Sequence, residues 1–168
     1  NQDSTRPDVN VMRVKLGVSL NEGGMGLVPE RNYYLYDFWN DCLIGKYKGS
    51  EIVKQELRTG ETRMISIHSA EKNPQFISTN RHIMQGLVDM TGLPVWNESK
   101  KVLSGKSDVI GGEEYKVVIA LNGFKPAKCS ARNAQTKIEK IDKEKDLAVL
   151  SILSGINNAV EWEISFKK

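Results

Sequence analysis

Apolar residues in this chain recur mostly at every second position, in short runs divided by glycine, proline and asparagine. The closing segment is the clearest case. Val160, Trp162, Ile164 and Phe166 alternate with Glu161, Glu163, Ser165 and Lys167, the period of a strand with one buried face. Val14, Leu16 and Val18 alternate with Arg13, Lys15 and Gly17 in the same way, so structure is expected from Val11 onward. Further strands are predicted at Tyr33 to Trp39, Ile44 to Tyr47, Ile52 to Leu57 and Met64 to His68. Beyond these come Phe76 to Ser78, Ile83 to Met90, Val102 to Leu103, Tyr115 to Leu121, Thr136 to Ile141 and Leu147 to Leu153. Turn residues punctuate the runs at Gly23-Gly24, Gly60, Gly92, Pro94, Gly105, Gly111-Gly112, Asn122-Gly123 and Asn157-Asn158. In the segment from Asn133 to Lys145, the spacing of Ala134, Ile138 and Ile141 also suits a helical face, and a strand is preferred because its surroundings read as β.

Many short strands with Gly-rich turns predict an all-β fold, here two small antiparallel β-sandwich units packed in tandem. Residues 1–10 are polar, contain Pro7 and lack periodicity, as a linker or frayed terminus does. The polar stretch Ala70-Glu71-Lys72-Asn73-Pro74 marks a boundary between a first unit, 11–71, and a second, 72–168.

The length of 168 residues suits one ordinary domain or two small ones. It falls short of a (β/α)8 barrel, which takes about 250 residues, with anything attached. The 24 basic and 21 acidic residues leave a net charge of +3. The lysines are scattered, so nucleic-acid binding is not indicated. No apolar run reaches the roughly 18 residues of a membrane helix, and no membrane insertion is expected. The chain opens at Asn1 without a hydrophobic leader, as expected of a processed chain or one excised from something longer.

Candidate chemistry is sparse. Gly105-Lys106-Ser107 matches the end of a phosphate-binding loop, but the position of the earlier glycine holds Lys100, which leaves a hairpin turn as the better reading. His68, His82, Cys42 and Cys129 lack the short paired spacings of a zinc site, and no local pattern joins Cys or Ser to a histidine for nucleophilic catalysis. No metal or cofactor is expected. The cysteines fall in different proposed units and are expected to be unpaired. Asp37 with Asp41, or Glu113 with Glu114, would be the carboxylate pairs to weigh for glycoside cleavage, although acids beside turns usually cap backbone groups or face water. Asn97-Glu98-Ser99 fits an N-glycosylation acceptor and equally a polar turn. Among the tryptophans, Trp162 belongs to the apolar face of the last strand and Trp39 to an aromatic band, which leaves Trp96, between Pro94 and polar Asn97-Glu98-Ser99, as the possible carbohydrate contact.

That aromatic band, Tyr34-Leu35-Tyr36-Asp37-Phe38-Trp39-Asn40-Asp41 followed by Gly45, is dense for a chain only 7% aromatic. It resembles a stretch in the small β-domain that follows the catalytic barrel of bacterial α-galactosidases and related melibiase-like glycoside hydrolases. Phe76-Ile77-Ser78-Thr79-Asn80-Arg81-His82-Ile83, with Gln85-Gly86, Val88-Asp89 and Val95-Trp96, is similar to the segment after the first accessory sandwich of those enzymes. Leu103-Ser104-Gly105, Glu114-Tyr115 and Val160-Glu161-Trp162 extend the resemblance from about Val11 to the end. It implies a non-catalytic C-terminal accessory region of a secreted or periplasmic bacterial enzyme. Its partner would be the catalytic barrel of the same polypeptide, with poly- or oligosaccharide as a further contact. The resemblance supplies no catalytic residue, since the catalytic carboxylates of those enzymes lie in the barrel. The alternatives are a carbohydrate-binding module, or an interaction or adhesin domain of a surface protein.

Overall fold

The computed structural model describes residues 13–21, 24–81, 89–142 and 144–168. Among them there is no helix, and the fold is all-β. Thirteen strands run β1 (Arg13–Ser19), β2 (Asn32–Asp37), β3 (Cys42–Lys48), β4 (Ile52–Arg58), β5 (Ile65–Ser69), β6 (Gln75–Thr79), β7 (Val95–Asn97), β8 (Val102–Val109), β9 (Glu114–Ala120), β10 (Lys125–Ala131), β11 (Gln135–Asp142), β12 (Leu147–Leu153) and β13 (Asn158–Lys167). All pairings are antiparallel.

The strands form four sheets, ordered β1-β4, β3-β2-β5, β11-β12-β9-β6 and β10-β13-β8-β7, and three apolar clusters stack them as successive layers. Leu20, Tyr33, Leu35 and Val53 fill the space between the first two sheets. Tyr34, Tyr36, Ile77, Val118, Ala120 and Leu147 join the second sheet to the third. The largest cluster, with Tyr115, Leu150, Trp162 and Phe166 among its members, lies between the third and fourth.

This stacking explains the aromatic band. In β2 successive side chains point to opposite faces, so Tyr33 and Leu35 serve one interface while Tyr34 and Tyr36 serve the next. A strand covered on both faces reads as a continuous apolar run, and β9 shows the same pattern, with Val117 and Ile119 on one side and Val118 and Ala120 on the other. Strand β13 packs on one face only, and Val160, Trp162, Ile164 and Phe166 are all buried in one core as its alternation predicts.

Between β5 and β6 the chain passes from the second sheet to the third. Tyr34 Oη donates to Asn122 Oδ1 at 2.6 Å, and Asn122 Nδ2 donates to the Asn73 carbonyl at 2.7 Å. Asn122 and Gly123 have φ of 50° and 79°, the left-handed region that asparagine and glycine tolerate. They turn the chain from the third sheet into the fourth.

Several expectations change. Two strands, β7 and β10, lie where none is predicted, and β8 runs on to Val109, whereas the segment from Asn133 holds a strand, β11, as preferred. The band itself ends sooner than expected, with a turn from Phe38 to Asp41 after β2. Residues 1–12 lie outside the described residues, as does most of the strand predicted at Ile83 to Met90. Of that segment, Met90 makes a single bridge to Ser107. Gly105-Lys106-Ser107 is the middle of β8, not a hairpin turn.

Candidate functional site

The carboxylate pair in the aromatic band is built into the β2–β3 turn. Asp37 is 1% exposed, and it accepts from the Asn40 backbone N–H at 3.1 Å and from Asn40 Nδ2 at 2.7 Å. Arg63 Nε stands 3.6 Å from its second oxygen. A buried carboxylate needs such partners, and Asp37 uses them to close the turn. Asp41 has φ of 48° and accepts the Tyr36 hydroxyl. That hydrogen bond and burial push the Tyr36 phenol far above its ordinary value, burial being the larger cause.

Glu113 is exposed, with Arg81 Nη1 3.8 Å away. Glu114 accepts from Ser151 Oγ at 2.7 Å and pairs with Lys116 Nζ at 3.2 Å. Lys116 also reaches Glu139 at 3.1 Å, which Lys137 meets at 2.9 Å. Hydrogen bonds from Lys137 and Lys116 hold Glu139 down at about 2. Glu114 and Glu139 thus form a cross-strand ion lattice with Lys116 and Lys137 on β9 and β11.

His68 lies on β5 and packs edge-on against Phe76, ring centroids 5.9 Å apart. Burial lowers its pKa, opposed by a hydrogen bond to the Ile77 backbone. His82 lies outside the described residues. Cys42 and Cys129 are free thiols. Among the described residues no group of three or more His, Cys, Asp or Glu side chains could hold a metal.

Trp162 is buried in the core as expected, whereas Trp39 is more exposed and Trp96 more packed than their sequence neighbours suggest. Trp39 sits at the turn apex and is 48% exposed, its ring edge-on to Phe38 at 5.5 Å. Trp96 is half-buried on β7 and packs edge-on against Phe124 at 5.4 Å and Phe166 at 5.7 Å. Its Nε1 donates to Glu98 Oε2 at 2.6 Å, and the same carboxylate pairs with Lys101. Those two bonds, Lys101 the stronger influence, lower the Glu98 pKa. Trp96 thus closes one end of the large core while its polar edge reaches water, an arrangement suited to an amphipathic indole. Asn97 Oδ1 accepts from Ser99 Oγ at 2.9 Å and from the Lys100 N–H at 3.0 Å, so the acceptor triplet is a polar turn.

Beside β7, the solvent face of the fourth sheet carries a shallow groove of about 650 Å³, with Leu93, Val95, Lys106, Arg132, Glu161 and Glu163 in its walls. Leu93 and Val95 are 74% and 65% exposed. Sequence reasoning missed this groove because its far wall comes from β10, which has few apolar positions to announce it. Compared with known proteins, the chain matches no family model, no curated protein and no solved structure.

Proposed function

We propose that this chain is a non-catalytic accessory β-region of a secreted or periplasmic glycoside hydrolase resembling the α-galactosidases, where it buttresses the catalytic barrel and contacts polysaccharide as a second role. The observation that carries the reading is the aromatic band from Tyr34 to Asp41 together with the Phe76 to Ile83 segment, whose sequences resemble the accessory region of those enzymes. Packing supports it, since the band is spent on joining layers and closing a turn. The engagement of the candidate acids supports it further. Glycoside cleavage needs two carboxylates facing each other across the scissile bond. Asp37, by contrast, is enclosed in its turn, and Glu114 is tied to Ser151 and Lys116.

The sequence of the complete gene tests the parent reading: an adjoining barrel is expected, and an adjoining array of surface repeats would replace it with the adhesin alternative. Catalysis is tested by incubating this chain with aryl galactosides and plant galactans. No turnover is expected. Hydrolysis abolished by Asp37→Asn or Glu114→Gln would overturn the non-catalytic assignment.

A further inference from the structure

The solvent face of the fourth sheet carries its charges unevenly. At one end, Lys125 lies opposite Lys167 across the β10–β13 pair, and Lys128 lies opposite Ser165. All three lysines are exposed, and none forms an ion pair with another described residue. Like charges placed directly opposite destabilise a sheet, so a concentrated positive charge without a carboxylate is an arrangement that a bound anion would relieve.

The next rows along the same face are different. Glu163 accepts from Ser130 Oγ at 3.2 Å, and Glu161 stands 3.7 Å from Arg132 Nη1, with Lys106 as its neighbour on β8. Here Glu161 has a cationic partner in Arg132, and Glu163 is held by the neutral Ser130 hydroxyl. Leu93 and Val95 add exposed aliphatic surface at the β7 side of the groove. The face therefore joins an unpaired cationic end to a mixed polar and aliphatic floor, across four strands that span about 14 Å.

We propose that this face binds an acidic polysaccharide, its carboxylate or sulfate groups over Lys125, Lys128 and Lys167 and its sugar rings against Leu93 and Val95. The lysine ammonium is a compact charge on a flexible stem, suited to anionic groups whose positions vary along a polymer. The face disfavours single-stranded nucleic acid. Bases are held by stacking on exposed aromatic rings, whereas Trp96, the tryptophan of this sheet's β7 edge, is packed against Phe124 and Phe166. The choice of a glycan rests on the accessory-region reading above, and the charge argument does not.

Affinity electrophoresis in gels containing polygalacturonate, heparin, neutral galactan or oligo-deoxythymidine tests this. Retardation by at least one of the acidic glycans is expected, weakening as salt screens the contact, with none by the galactan. The combined variant Lys125→Glu, Lys128→Glu, Lys167→Glu should bind at least about ten-fold more weakly, the equivalent of one decade in Kd. A control with the same charge change elsewhere, Lys48→Glu, Lys54→Glu, Lys72→Glu, should bind as the parent does. Thermal unfolding of both variants checks that they fold, and Lys167→Glu alone replaces the combined variant should that one fail to. Absence of binding to both acidic glycans, equal binding to galactan, equal binding to the oligonucleotide, or equal loss in the control would each overturn the proposal. None of these outcomes bears on the buttressing role, which fails on gene context instead.

Discussion

Gly105 occupies the middle of β8 opposite Trp162, and a Cβ there would lie 2.4 Å from Cζ2 and 2.8 Å from Cε2 of the indole. The glycine is thus a seat for the tryptophan ring, whose Nε1 donates to Ser107 Oγ at 3.0 Å. Gly105→Ala should destabilise the protein by about 1–3 kcal/mol, the usual cost of overpacking. Urea denaturation should show the midpoint falling with an unchanged slope. At His68, burial holds the pKa below its ordinary value of 6.5. Above that value the imidazole is neutral in both folded and unfolded chains. As the pH falls below it, the unfolded chain takes up the proton first, so stability is lost progressively until the folded pKa is passed. The melting temperature should therefore drop between about pH 7 and pH 5, and His68→Leu should flatten that part of the profile; an unchanged slope would place its origin elsewhere.

At the scale of elements, the tie from Tyr34 through Asn122 to Asn73 links β2, the β9–β10 turn and the segment before β6. A double-mutant cycle with Tyr34→Phe and Asn122→Ala should give a coupling of about 0.5–1.5 kcal/mol, the net worth of one hydrogen bond; a value near zero would show that the bond contributes nothing. Legibility in the sequence also varied by element. Strand β13 was plain because one face is dry and the other wet. Strand β10, Lys-Pro-Ala-Lys-Cys-Ser-Ala, was hidden: it is a sheet edge, it contains Pro126, and its register shifts between Pro126 and Lys128, all features that edge strands tolerate. The three-residue β7 was too short to show a period. For Trp39 and Trp96 the sequence neighbours misled, since the packing of Trp96 depends on Phe124 and Phe166, distant in the chain and brought beside it by the fold.

For the whole molecule, the decisive feature is the middle interface of Tyr34, Tyr36, Ile77, Val118, Ala120 and Leu147, which couples the outer layers. Thermal unfolding should be a single transition, coincident by near- and far-ultraviolet circular dichroism. Val118→Asp, which places an unpaired charge in that interface, should separate it into two. A single transition retained at lower temperature would mean that the layers do not melt as independent bodies. The same arrangement fixes a schedule for synthesis. Strand β2 finds both its neighbours by Ser69, so the first two sheets can close early. In the other half, β6 must wait for β9, and β8 remains without its main partner until β13 has been made. Such long-range pairing is slow to form. Growing on the ribosome, the early half would carry an uncovered Tyr34 and Tyr36 surface until the late half arrives to seal it.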